Sequence, residues 1–185
     1  MFDEKEIISR ILKEDLRAFE LLVKQYEKLV FHVVGRMVRE EQDKEDVSQE
    51  VFIKIHKNLR TFQFKSKLST WIARIAYLTA INYLKKYKKM SSTELLDDLE
   101  NYHYTRESPD AVTEKKEISN YVNRLIEMMP EQYRIVITLY HLNEFSYQEI
   151  EDITGMPEGT IKSYLFRGRK LLKEKLEVYL KKEVS

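Results

Sequence analysis

Apolar residues in the first part of the chain return every three or four positions. Phe19, Leu22, Val23, Tyr26, Val30, Val33, Val34 and Met37 fall on one face when wound as an α-helix, which predicts a long amphipathic helix. A second helix is predicted from about Lys44 to Leu59, with Val47, Val51, Phe52, Ile55 and Leu59 turned inward. A third is predicted from about Ser69 to Lys86 on Trp71, Ile72, Ile75, Ala76, Thr79 and Tyr83. The segment Leu59 to Leu68 has no clean period and is expected to be a connecting loop, and residues 3–14 add a short leading helix. From Met90 to Thr113 the pattern fails. Ser91, Ser92, Asn101, Ser108 and Pro109 interrupt it, and the expectation is a flexible linker, helical at most near Glu94–Leu99.

Helical order resumes near Glu114. Ile118, Tyr121, Val122, Leu125, Ile126 and Met129 mark a helix that Pro130 must end, and Glu131 to Leu142 forms the next. Ser146-Tyr147-Gln148-Glu149 has the form of a capping box, so a short helix starts at Ser146 and Gly155 stops it. Pro157 and Glu158 suit the first turn of a last helix that runs to about Lys182. The predicted fold is all-α: two small helical domains, residues 1–90 and 114–185, joined by an acidic linker over 91–113.

Composition supports this reading. Of 185 residues only 4 are Gly and 3 are Pro, fewer turn formers than strands and hairpins need. Cysteine is absent, which excludes disulfides and thiolate metal sites and agrees with a reducing cytoplasm. The start, MFDEKEIISR, lacks the apolar stretch of a signal peptide, and no run approaches the ~20 apolar residues of a membrane span, so no membrane insertion is expected.

Net charge is +1, but the charges are segregated. Residues 65–89 hold seven cations (Lys65, Lys67, Arg74, Lys85, Lys86, Lys88, Lys89) and no acid. Residues 91–117 hold eight acids against three cations, and residues 162–182 hold eight cations against Glu174 and Glu177. Two basic blocks around an acidic spacer suggest two polyanion-facing surfaces.

Ser146 to Lys170 is the most specific segment: a short helix, a turn holding Gly155, and a second helix rich in Lys and Arg. This is a helix-turn-helix pattern in which Ile150, Ile153, Ile161 and Leu165 set the interhelical angle and leave the other face for a major groove. A helical hairpin with a solvated basic face is the plainer alternative.

Pro130-Glu131-Gln132-Tyr133-Arg134, Phe145 to Ile150, and Gly159-Thr160-Ile161-Lys162-Ser163 resemble the C-terminal domain of extracytoplasmic-function (ECF) sigma factors. Ala18-Phe19-Glu20-Leu21-Leu22, Asp46 to Phe52, and Leu68 to Ala76 resemble sigma domain 2, in family order. The resemblance implies a sigma factor that binds core RNA polymerase and directs promoter-specific initiation. It implies −35 contacts through Lys162, Ser163, Phe166 and Arg167, with Arg169 and Lys170 on phosphates; core packing is the alternative for Phe166. It implies −10 recognition and melting through Trp71, Arg74, Tyr77, Asn82, Lys85, Lys86 and Lys88, with Trp71 equally placed for core packing. Asp46, Gln49, Glu50 and Lys54 become the polymerase-docking face, for which a merely solvated stripe is the alternative. Promoter DNA, core polymerase and a cognate anti-sigma factor are the implied partners.

Two departures matter. Leu78 stands where many members have an Asn able to bond a flipped base, and Asp152 replaces a small residue. Nothing argues for catalysis, a cofactor or a metal: His32, His56, His103 and His141 lie far apart, and no glycine-rich phosphate loop occurs. An autonomous helix-turn-helix regulator that binds a palindrome as a dimer and a helical adaptor without a DNA role are the rival readings.

Overall fold

Helices begin where the sequence offers an oxygen to the unpaired N–H groups of a first turn. In the computed structural model, which describes residues 3–90 and 114–183, the Asp3 carboxylate accepts from the N–H groups of Lys5 and Glu6 and starts α1 (Glu4–Ile11). Asp15 does the same for Arg17 and Ala18 at the head of α2 (Leu16–Gly35). It also ties back to Arg10 at 2.8 Å, which fixes the α1–α2 corner. Helix α3 spans Glu41–Asn58, a 3₁₀ turn follows over Leu59–Thr61, and α4 runs over Leu68–Met90. Among the described residues all regular structure is helical.

The expected apolar faces meet. Leu22, Val30, Val33 and Val34 of α2 close on Val47, Val51 and Ile55 of α3 and on Leu68, Ile72 and Ala76 of α4, all essentially without solvent contact. Helix α1 covers α2 with Ile7, Ile8 and Ile11.

The second half has α5 (Glu114–Glu127), α6 (Glu131–Ile137), α7 (Tyr147–Thr154) and α8 (Glu158–Glu183). The expected single helix over 131–142 changes character: Thr138–Leu142 is a π-helical turn, closed by Asn143 N–H donating to the Thr138 carbonyl at 3.1 Å. A π turn carries one more residue than an α turn and re-aims the side chains on it. Arg134 is buried and donates at 2.8 Å to the Glu127 carbonyl, one of the orphan acceptors at the end of α5. Both halves of the predicted capping box are made between Ser146 and Glu149, and Gly155 ends α7 at φ 75°, the left-handed region that glycine enters without penalty. Helices α6 and α8 pack closely at Gly168, where a Cβ would lie 3.0 Å from Ile137 Cδ1.

The halves touch. Helix α4 packs along α7, and a stripe of small and buried residues on α4 (Thr70, Ala73, Tyr77, Ala80) joins the two apolar interiors into one continuous core. The stretch 91–113, with the short helix expected near Glu94–Leu99, lies outside the described residues.

Candidate nucleic-acid and polymerase interfaces

Helix α8 presents the basic face expected of a recognition helix. Ile150 and Ile153 of α7 meet Ile161 and Leu165 of α8, all four sealed from solvent. What remains outward is Lys162, Phe166, Arg167, Arg169 and Lys170, with Ser163 half-buried. Phe166 is 69% exposed, so core packing does not account for it. Lys162 pairs with Glu158 at 2.5 Å and also lies 5.3 Å above the Tyr147 ring. The Arg169 guanidinium lies 5.1 Å above Tyr140, and its Nε–H donates to His141 Nε2 at 3.0 Å. Tyr140 and Tyr147 stack at 5.2 Å. Burial and the neighbouring Arg169 hold the His141 imidazole below its ordinary pKa, so the neutral ring is the acceptor.

The residues expected at the −10 surface are divided. Asn82, Lys85 and Lys86 are exposed along the outer part of α4, and Lys88 lies on the same helix beyond the described side chains. Trp71 is half-buried, 5.4 Å from Phe62. Tyr77 is buried, and burial, then Glu131, raises its hydroxyl pKa. Arg74 is turned onto the second half, where it donates to the Asp152 carbonyl. Beside it, Lys67 bridges to Glu149 at 3.0 Å and the Thr70 hydroxyl donates to the same carboxylate at 3.3 Å. Burial alone would raise the Glu149 carboxyl. Hydrogen bonds from the Ser146 backbone, Lys67 and the Ser146 hydroxyl outweigh it and hold the group below the usual carboxylate range.

A second polar contact joins the halves from the far end of α2. Arg36 donates to Asn123 at 3.0 Å and to Glu127 at 3.5 Å. Neither Arg36 nor Glu149 is visible as a partner in the sequence, because pairs 82 to 91 residues apart leave no local pattern.

On α3, Asp46, Gln49 and Glu50 are exposed on one side, as helical spacing requires, while Lys54 is half-buried between Glu50 (2.7 Å) and the Thr79 hydroxyl (3.3 Å). Ile53, not singled out from the sequence, is 53% exposed among them. Its signal was an aliphatic residue out of phase with Val47, Val51 and Ile55. Among the described residues no three His, Asp or Glu side chains gather around a position for a metal ion. None of the described helices is long and apolar enough to cross a membrane.

Comparison with known proteins agrees with both halves. Residues 22–90 match the family described as Sigma-70 region 2, and residues 119–172 match Sigma-70, region 4. The chain is 33% identical to the ECF RNA polymerase sigma-E factor of Escherichia coli, with 97% of each chain covered. It is 32% identical to the RNA polymerase sigma-H factor of Pseudomonas aeruginosa, with 96% of each covered. Two solved structures share the fold. One is CnrH in complex with the cytosolic domain of CnrY (TM-score 0.66, 16% identity, 95% of this chain and 97% of that one). The other is the sigma factor RpoE in complex with the anti-sigma factor NepR from Bartonella quintana (TM-score 0.67, 21% identity, 86% of this chain and 97% of that one).

Proposed function

Because the chain belongs to the ECF family of RNA polymerase sigma factors, which direct promoter-specific initiation, we propose a division of that task among its surfaces. Helix α8 enters the −35 major groove with Lys162, Ser163, Phe166 and Arg167, while Arg169 and Lys170 hold phosphates. Arginine and lysine suit guanine edges and phosphate oxygens, and a phenylalanine packs on thymine methyl groups. The observation that carries this is the exposure of Phe166 within a cationic face, over a helix-turn-helix closed by four buried aliphatic residues. It is the position of Phe166 among Lys162, Arg167 and Arg169, rather than exposure alone, that supports the reading, since single exposed apolar side chains such as Leu16 are ordinary.

Trp71, Arg74, Tyr77, Asn82, Lys85, Lys86 and Lys88 serve the −10 region, where an opened strand needs stacking surfaces and cations along its backbone. Leu78, 44% exposed, offers a flipped base apolar contact and no hydrogen bond. Asp46, Gln49, Glu50 and Lys54 dock core polymerase, with Ile53 as the apolar centre of that face. Arg74 and Tyr77 are engaged by the second half, so polymerase binding has to part α4 from α7 before the −10 element is read. Weak contacts then add: phosphate neutralisation alone gives a Kd of ~10⁻⁴–10⁻⁶ M, and fixing both halves on one enzyme makes the second contact intramolecular.

The protein acts by binding rather than by catalysis, in the cytoplasm. An anti-sigma factor is a further partner, by analogy with the complexes of CnrH and RpoE. The decisive experiment adds the purified chain to core RNA polymerase on a genomic-fragment template library. Discrete new start sites are expected. Tight, polymerase-independent binding to a palindromic operator would support the autonomous-regulator reading instead. Absence of salt-dependent DNA retention, even with core enzyme present, would support the adaptor.

A further inference from the structure

Two cations of the recognition helix, seven residues and so about two turns apart, rest on one aromatic stack contributed by other elements. Tyr140 stands on the π-helical turn and Tyr147 opens α7; their rings lie 5.2 Å apart and 18° from parallel. Lys162 covers the outer Tyr147 ring at 5.3 Å, and Arg169 covers Tyr140 at 5.1 Å while its Nε–H is held by His141. Long basic side chains on an exposed helix ordinarily sample many rotamers, and binding must then freeze them. Here the freezing is built in. The extra residue of the π turn brings Tyr140 and His141, neighbours in sequence, against the same guanidinium.

We propose that Tyr140, Tyr147 and His141 are positioning residues for DNA binding, a platform that holds Arg169 in the orientation in which it meets the phosphate backbone and Lys162 in that in which it enters the groove. The inference rests on the assignment of α8 as the DNA-reading helix. The ring faces take the cations from one side and leave their remaining N–H donors to solvent, where a phosphate can replace water. Glu158, the other charged group at Lys162, competes for its ammonium and is displaced when DNA arrives. Arg169 has no carboxylate partner among its described ion pairs, so its orientation depends on the platform more than that of Lys162 does.

The test uses the full chain and a mixed-sequence 30-base-pair duplex, with anisotropy measured from about 50 to about 200 mM salt. Arg169→Ala and Lys162→Ala should each weaken binding and reduce the salt slope by about one. If they do neither, the assignment of α8 itself falls. Given that both act, Tyr140→Leu and Tyr147→Leu should weaken binding by about three- to tenfold, as expected for loss of a cation–π contact and its ordering. Tyr140→Phe and Tyr147→Phe, which keep the ring faces, should stay within about twofold of the parent. Leucine variants that bind like the parent, or phenylalanine variants that lose as much as leucine, overturn the positioning role while leaving the helix assignment intact. Should a leucine variant fail to fold, the parent protein still decides: the Arg169 Nε–H resonance, assigned by its disappearance in Arg169→Lys, is expected to be shifted upfield by the Tyr140 ring and slowed in exchange. A solvent-like resonance rejects the platform.

Discussion

At the scale of single residues, two histidines link stability to pH. Burial, then Arg36 and Lys28, lowers the His32 pKa, and burial with Arg169 lowers that of His141. His32 meets Asn143 at 3.4 Å between the halves, and His141 takes the Arg169 proton donor. Both are therefore neutral in the folded chain where the unfolded chain already binds protons. Their contribution is fully present above the unfolded pKa near 6.5 and is lost as pH falls through the folded values below it. The thermal midpoint should fall between about pH 7.5 and about pH 5.5, and a His32→Gln/His141→Gln pair should flatten that slope. A parent midpoint that stays level or rises over this interval contradicts the assignment. Neither histidine's partner was legible in the sequence. His141 was set aside because no metal-like spacing surrounded it, and its true neighbour lies 28 residues on, across a helix–helix contact.

Helices were the most legible level. The three- and four-residue spacing located α2, α3 and α4 to within a few residues, and cap chemistry located α7 and the start of α8, because those signals are local and strong. Their energetic weight is testable by thermal or chemical unfolding. Gly155→Ala places a Cβ at φ 75° and should cost about 1–2 kcal/mol, while Ser146→Ala should cost about 1 kcal/mol through loss of the capping box. Ile161→Ala, at a fully buried position, should cost about 2–5 kcal/mol. Equal small losses at all three sites would mean that this half is held together elsewhere. On α3, Ile53→Lys should leave helix content unchanged, since the side chain is already half in water, yet abolish retention on immobilised core polymerase. Full retention would show that the docking face lies elsewhere. The π turn and the second buried stripe on α4 were not legible. Alanine at 73 and 80 is equally at home on a solvated or a tightly packed helix face, and Tyr77 reads as a surface aromatic until α7 is laid over it.

At the scale of the whole molecule, the two helical domains expected from the sequence are both present. Their interiors, which the sequence left unrelated, join through α4 and α7. The contact engages Lys67 and Arg74 from one basic block and leaves Phe166 and the cations of α8 exposed. Among the described residues joining is polar at three places, Lys67 and Thr70 on Glu149 beside Arg74 on Asp152, Arg36 on Asn123 and Glu127, and His32 on Asn143, and a surface ion pair is individually weak, about 0–1 kcal/mol. The apolar seam between α4 and α7 carries the rest of the contact. Lys67→Glu sets like charges against Glu149, so small-angle scattering should show a larger radius of gyration, and single-stranded DNA should bind the lone chain more tightly. An unchanged radius together with unchanged binding would mean that the two halves stay joined for another reason.

Helix α8 has one further consequence. At 26 residues it is about 39 Å long, well past its crossing with α6, and near its far end Tyr179 stacks on Tyr121 of α5 at a centroid distance of 4.0 Å. The rod proposed to read DNA at its head thus clasps, near its tail, the helix that opens the second half. Any tilt of the head must therefore carry α5 with it, since the two rods are fastened to each other at Tyr121 and Tyr179.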